Sequence, residues 1–86
     1  MLKKITIQIT GVPELRYTFK GLPICTIIAQ KQRYVAFDEI ATQLVNSVMI
    51  NSIIEVFGYY KEYKWKNTEG EEQSREDFII KSWREI

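Results

Sequence analysis

Apolar residues fall at every second position near the start of this chain, and that spacing limits what it can fold into. Ile5, Ile7 and Ile9 alternate with Lys4, Thr6, Gln8 and Thr10. Because successive strand side chains point to opposite faces, a period of two gives a strand with one buried and one wet face. Gly11-Val12-Pro13 interrupts the pattern, Leu15 to Phe19 resumes it, and Gly21-Leu22-Pro23 breaks it again. Ile24 to Ala29 and Arg33 to Phe37 then flank Gln30–Gln32 as a hairpin with a very short connection.

The period lengthens after Asp38. Ile40, Ala41, Leu44, Val45 and Val48 mark one face of a helix. Asp38 is the expected N-cap, since its carboxylate can accept first-turn amide hydrogens, and Asn51 is the expected stop. Ile53 to Trp65 reads as a long strand with a bulge or close approach at Gly58. Asn67-Thr68-Glu69-Gly70 is a turn, and Phe78 to Trp83 closes the chain as a last strand.

The predicted order is three strands, a helix and two strands. That is the order of the OB-fold, a mostly β, five-stranded, partly open Greek-key barrel with one helix between strands 3 and 4. No linker, repeat or low-complexity stretch divides the 86 residues, so residues 1–86 read as a single domain. A chain this short buries only about 60–65% of its unfolded surface, so a second subunit would add to a marginal core. A homodimer or homotetramer covering the edge of strand 1 is expected.

Composition narrows the function. With 45% apolar and 27% charged residues the chain reads as globular. It has no histidine and one cysteine, Cys25, which leaves no internal disulfide, no histidine catalysis and too few zinc ligands. Asp38 and Glu39 are adjacent and point to different faces. No nucleophile has a base partner, and no glycine-rich loop cradles phosphate. The expectation is a protein that is not an enzyme and takes no cofactor or metal. The apolar runs are too short to span a membrane, and no h-region follows Met-Leu-Lys-Lys. This reads as a soluble protein of a cytoplasm or an organelle stroma.

Several segments carry a resemblance. Pro13-Glu14-Leu15-Arg16-Tyr17-Thr18-Phe19-Lys20-Gly21 resembles the Pro-Glu-x-Arg-Tyr-x-x-x-Gly segment of bacterial-type single-stranded DNA-binding proteins, including their primosomal and cyanobacterial or plastid relatives. Ile53 to Gly58, Tyr63-Lys64-Trp65, Gly70 and Phe78-Ile79-Ile80 resemble later strand and turn positions of that family. The family's long flap between strands 2 and 3 shrinks here to the few residues between Ala29 and Arg33, with Lys31 and Arg33 where it often places tryptophans. The expected form is a minimal OB core without the family's acidic-tipped tail. The resemblance implies single-stranded DNA binding in replication, recombination or repair, and a stacking role for Phe37.

The residues support that reading directly. Single strands bind by stacking bases on aromatics while cations follow the phosphates. The net charge is only +1, but residues 59–66 carry +2 and residues 67–77 carry −4. One parity of the long strand holds Phe57, Tyr59, Lys61, Tyr63 and Trp65; the other holds Ile54, Val56 and Tyr60 as a core face. The candidate nucleic-acid-binding residues are Trp65, Tyr63, Tyr59, Lys61, Lys64, Lys66, Lys31 and Arg33, joined by Phe37 and Arg16 from the resemblance. Tyr59 and Tyr63 also suit cross-strand packing, Arg16 a structural role at the bend after strand 1, and Lys31 and Arg33 a solvated turn. Phe37 also suits a hydrophobic staple beside the N-cap. Trp83 suits either the groove or packing, and Cys25 is read as a small apolar strand residue. Two alternatives stay open: an OB-fold interaction module of a replication or plastid complex that has lost DNA binding, and single-stranded RNA binding.

Overall fold

A computed structural model describes residues 2–86; Met1, which opens the Met-Leu-Lys-Lys start, lies outside the described residues. The elements are β1 (Lys3–Gln8), β2 (Glu14–Tyr17), β3 (Pro23–Ala29), β4 (Gln32–Phe37), α1 (Asp38–Ser47), β5 (Ile53–Lys66) and β6 (Glu72–Glu85). The six strands form one sheet in the order β1-β5-β6-β4-β3-β2. Neighbours are antiparallel except β4 and β6, which run parallel. The expected five strands become six because the stretch before Gly21 divides at Gly11-Val12-Pro13. Its halves, β1 and β2, lie on opposite edges of the sheet and do not pair, so hydrogen bonds do not close it into a barrel.

The alternation buries one face as expected. Ile7, Cys25, Ile27, Tyr34, Ala36, Ile54, Val56, Phe78 and Ile80 meet Ala41 and Leu44 of α1 in one core. Tyr34 and Tyr60 both pack against the Phe78 ring, at centroid distances of 5.5 and 5.1 Å. Burial pushes the Cys25 thiol up to about 11, which fits an inert packing residue.

The helix starts differently from expectation. Phe37 is the N-cap with no side-chain cap bond, and Asp38 is the first helical residue with φ of +57°. The hairpin register holding Phe37 to Ile24 runs straight into the helix, so no free position remains for Asp38 to cap. With Phe37 itself at the N-cap, the staple role, which belongs one position earlier, does not apply. Asn51 is left-handed at φ 76° but does not end the helix, which stops at Ser47. Its amide instead donates to the Ile9 carbonyl at 2.7 Å, tying the 49–52 turn to the end of β1.

The β3–β4 connection is as short as expected: Ala29 faces Gln32 across Gln30 and Lys31, whose φ angles are 52° and 65°. Two left-handed residues make a type I′ turn, for which Asn-Gly is best suited. Replacing Gln30→Asn together with Lys31→Gly should therefore stabilise the fold by about 1 kcal/mol. For a domain of this size that is a rise of roughly 4–8 °C in the thermal midpoint. A midpoint that fails to rise in a circular-dichroism melt would contradict this turn geometry.

The β5–β6 pair shapes the rest of the molecule. The register slips between Phe57 and Gly58, so that Phe57 faces Ser82 while Gly58 faces Ile80. The extra residue is Lys81, and the bulge thus lies in β6, opposite the glycine. It reverses the parity of the end of β6: Trp83 packs against the core, not alongside Ile79 on the other face. β6 also begins at Glu72 rather than near Phe78, so the acidic stretch is only partly a turn. Beyond β1 and β4, Glu62–Lys66 and Glu72–Glu76 pair only with each other and project as a two-stranded ribbon. Its tip is held by Asn67, whose Oδ1 accepts from the amides of Glu69 at 3.0 Å and Glu71 at 2.9 Å.

Candidate nucleic-acid interface

The sheet face turned away from the core gathers most of the predicted residues. Directly paired residues share a face, so the registers define rows across the sheet. Lys61, Asp77, Arg33 and Ile28 form one row, and Tyr59, Ile79, Val35, Thr26 and Glu14 the next. A third runs Phe37, Ile24, Arg16. Toward the ribbon tip Tyr63 faces Arg75 and Trp65 faces Gln73. Toward β1, Glu55 lies between Thr6 and Arg84. Tyr59, Lys61, Tyr63, Trp65, Phe37, Arg33 and Arg16 therefore belong to one surface. Trp65 is 47% and Phe37 40% exposed.

Three predicted cations lie elsewhere. Lys64 and Lys66 have the opposite parity on β5; Lys64 pairs with Glu62 at 3.2 Å, and Lys66 faces Glu72. Strict alternation forces this separation from Trp65 and Tyr63. Lys31 sits in the β3–β4 turn, off the rows.

Sequence reasoning missed Lys4, Arg75 and Arg84 on this face. Arg75 is hidden in the acidic stretch, and Arg84 lies on the face only because of the bulge at Lys81. Lys4, opposite Phe57 in the first alternating segment, is visible in the sequence but reads there only as a wet position.

Charge is sorted by these rows. Six cations (Lys4, Arg16, Arg33, Lys61, Arg75, Arg84) and three acids (Glu14, Glu55, Asp77) share the face, a net +3. The remaining six cations and eight acids leave −2 for the rest of the chain. Two of the three acids are buried beneath the cations. Glu55 accepts from Arg84 Nε at 2.7 Å with Lys4 Nζ at 3.9 Å, and Asp77 lies between Arg33 and Arg75. Glu14 pairs with Arg16. The exposed layer is therefore cationic.

Aromatic rings punctuate it. Lys61 Nζ lies 5.2 Å and Arg75 Cζ 5.3 Å from the Tyr63 ring centroid, within cation–π range. A base reaching Tyr63 must displace one of them or stack on the Arg75 guanidinium. Trp65 carries no such cover among the described residues. Val35 and Ile79, both buried, give the middle of this face an apolar floor. Among the described residues no helix is long and apolar enough to cross a membrane. Compared with known proteins, the sequence matches no protein-family model and no curated protein.

Proposed function

We propose that this protein binds single-stranded nucleic acid, DNA in the first instance and with little sequence preference, on the outer face of an OB-fold, without catalysing a reaction. The observation that carries this is the concentration of exposed cations and aromatic rings on one sheet face of a nearly neutral chain. The OB reading is supported by the parallel β4–β6 pair, the helix between β4 and β5, and a first strand whose halves lie on the two edges. The free edge of β1 is the subunit contact of a homodimer or homotetramer in this reading.

Trp65 and Tyr63 stack bases, with Tyr59 and Phe37 continuing the path. Lys61, Arg33, Arg75 and Arg16 neutralise phosphates, each contributing about −0.7 to the salt slope on a single strand. A tryptophan-fluorescence titration with oligo-dT at low and moderate salt tests this. Saturable, salt-sensitive quenching is expected in the wild type and should be lost in Trp65→Phe, where only the partly buried Trp83 still reports. Absence of quenching at micromolar protein in low salt would reject the reading.

A second reading, an OB-fold docking module for another protein, draws on the exposed Val12, Tyr17, Phe19 and Leu22 around β2. A protein interface of that kind responds far less to salt. Oligo-U in the same titration compares RNA with DNA.

A further inference from the structure

Asp77 is 2% exposed yet sits on the outer face of the sheet, beside the next row, where Val35 and Ile79 are also buried. An apolar residue there would avoid the cost of burying a carboxylate. Its surroundings are also incompletely satisfied: Asp77 Oδ1 and Arg33 Nε are shut off from solvent and complete no hydrogen bond. Two arginines meet it through different oxygens. Arg75 Nε lies 3.2 Å from Oδ1 and Arg33 Nε 3.7 Å from Oδ2.

Both contacts use Nε, so neither guanidinium spends its terminal amino groups on Asp77. Among the described residues neither arginine side chain donates a hydrogen bond to protein. Both remain open to solvent, 40% and 47% exposed against 3% for the Asp77 side chain. Two guanidiniums side by side repel each other, and a carboxylate beneath them offsets that repulsion. Lys61 lies directly across from Asp77 on β5, and Arg75 is further steadied over the Tyr63 ring.

We propose that Asp77 is a positioning residue that holds Arg33 and Arg75 together as a preset phosphate clamp, with Lys61 completing it. The proposal rests on the single-strand reading above. The free amino groups of the two arginines match the fork geometry that binds phosphate oxygens. With Tyr63 alongside, the clamp takes the backbone phosphate next to a stacked base.

The test exploits opposite signs. Asp77→Asn removes a negative charge from the binding face, so net charge alone would tighten oligo-dT binding and steepen its salt dependence. The clamp requires the reverse: roughly tenfold weaker binding, with the slope of log K against log salt shallower by about 0.7 to 1.4. Binding as tight as wild type or tighter, with an unchanged or steeper slope, would overturn it.

Because a buried substitution can unfold the chain, a wild-type measurement accompanies it. The Arg33 and Arg75 Nε–Hε resonances are followed during titration with oligo-dT and with an abasic deoxyribose-phosphate oligomer. Both arginines should shift with both oligomers. Binding without those shifts rejects the clamp alone, whereas no binding of either oligomer rejects the single-strand reading and the clamp with it.

Discussion

Gly58→Ala should cost this domain most of its stability. A Cβ built on Gly58 would lie 1.8 Å from the Ile79 carbonyl oxygen and 2.9 Å from Phe78 Cε1. The nearest atom is backbone, so no rotamer change can relieve the clash. Moving Ile79 would disturb its pairing with both Tyr59 and Val35 and displace the neighbouring Phe78 from the core. The need here is for space between closely approaching paired strands, since the left-handed glycines are Gly21 and Gly70. A chain of this length has roughly 4–13 kcal/mol in total. A loss of about 4 kcal/mol or more, the diagnostic range for a blocked site, leaves a thermal midpoint lower by roughly 20 °C or no folded protein at 37 °C. A fall of less than about 5 °C in a circular-dichroism melt would mean that β5 and β6 do not pair at Gly58 as described.

Removing the two ribbon aromatics together should abolish most binding while sparing the fold. Tyr63 and Trp65 lie where β5 pairs only with β6, outside the core cluster. Tyr63→Ala with Trp65→Ala is therefore expected to change stability by no more than about 1 kcal/mol. Each stacked base contributes about 1–3 kcal/mol, so the joint loss is roughly 2–6 kcal/mol, about 30-fold or more in affinity for oligo-dT. Trp65 should account for the larger share, because Lys61 and Arg75 already occupy the surroundings of the Tyr63 ring. A joint loss below threefold would place the strand elsewhere.

The fold is legible in the sequence wherever the apolar period is strong. Ile5, Ile7 and Ile9, the tight Gln30-Lys31 connection and the helical face from Ile40 to Val48 all depend on neighbours in the chain, and a glycine inside the apolar run at Gly58 marks a close approach without saying to what. The ribbon half of β6 has no such period: Glu72 to Glu76 is wet on both faces, so its charges read as a turn and conceal Arg75. The bulge at Lys81 is equally silent, because nothing near it in sequence reveals that Gly58 lies opposite. It turns Trp83 inward and Arg84 outward, and local parity predicts neither. Glu55 and Asp77 look like ordinary polar positions until Arg84, 29 residues from Glu55, and Arg33 are brought beside them. The sorting of charge onto one face is therefore a property of strand pairing, while Tyr59, Tyr63 and Trp65 of the same face lie within a single strand and are visible in the sequence.

The central claim is that the outer face, and no other surface, receives a single strand. Backbone and side-chain chemical-shift mapping of the ¹⁵N-labelled protein during titration with oligo-dT tests it most directly. Shifts are expected to concentrate at Tyr59, Lys61, Tyr63, Trp65, Arg33 and Arg75 and to fade as salt is raised, with the exposed side of α1 around Thr42 and Asn46 unmoved. Shifts centred on α1 or on the Tyr17–Leu22 corner, or a spectrum unchanged at saturating oligonucleotide, would contradict it.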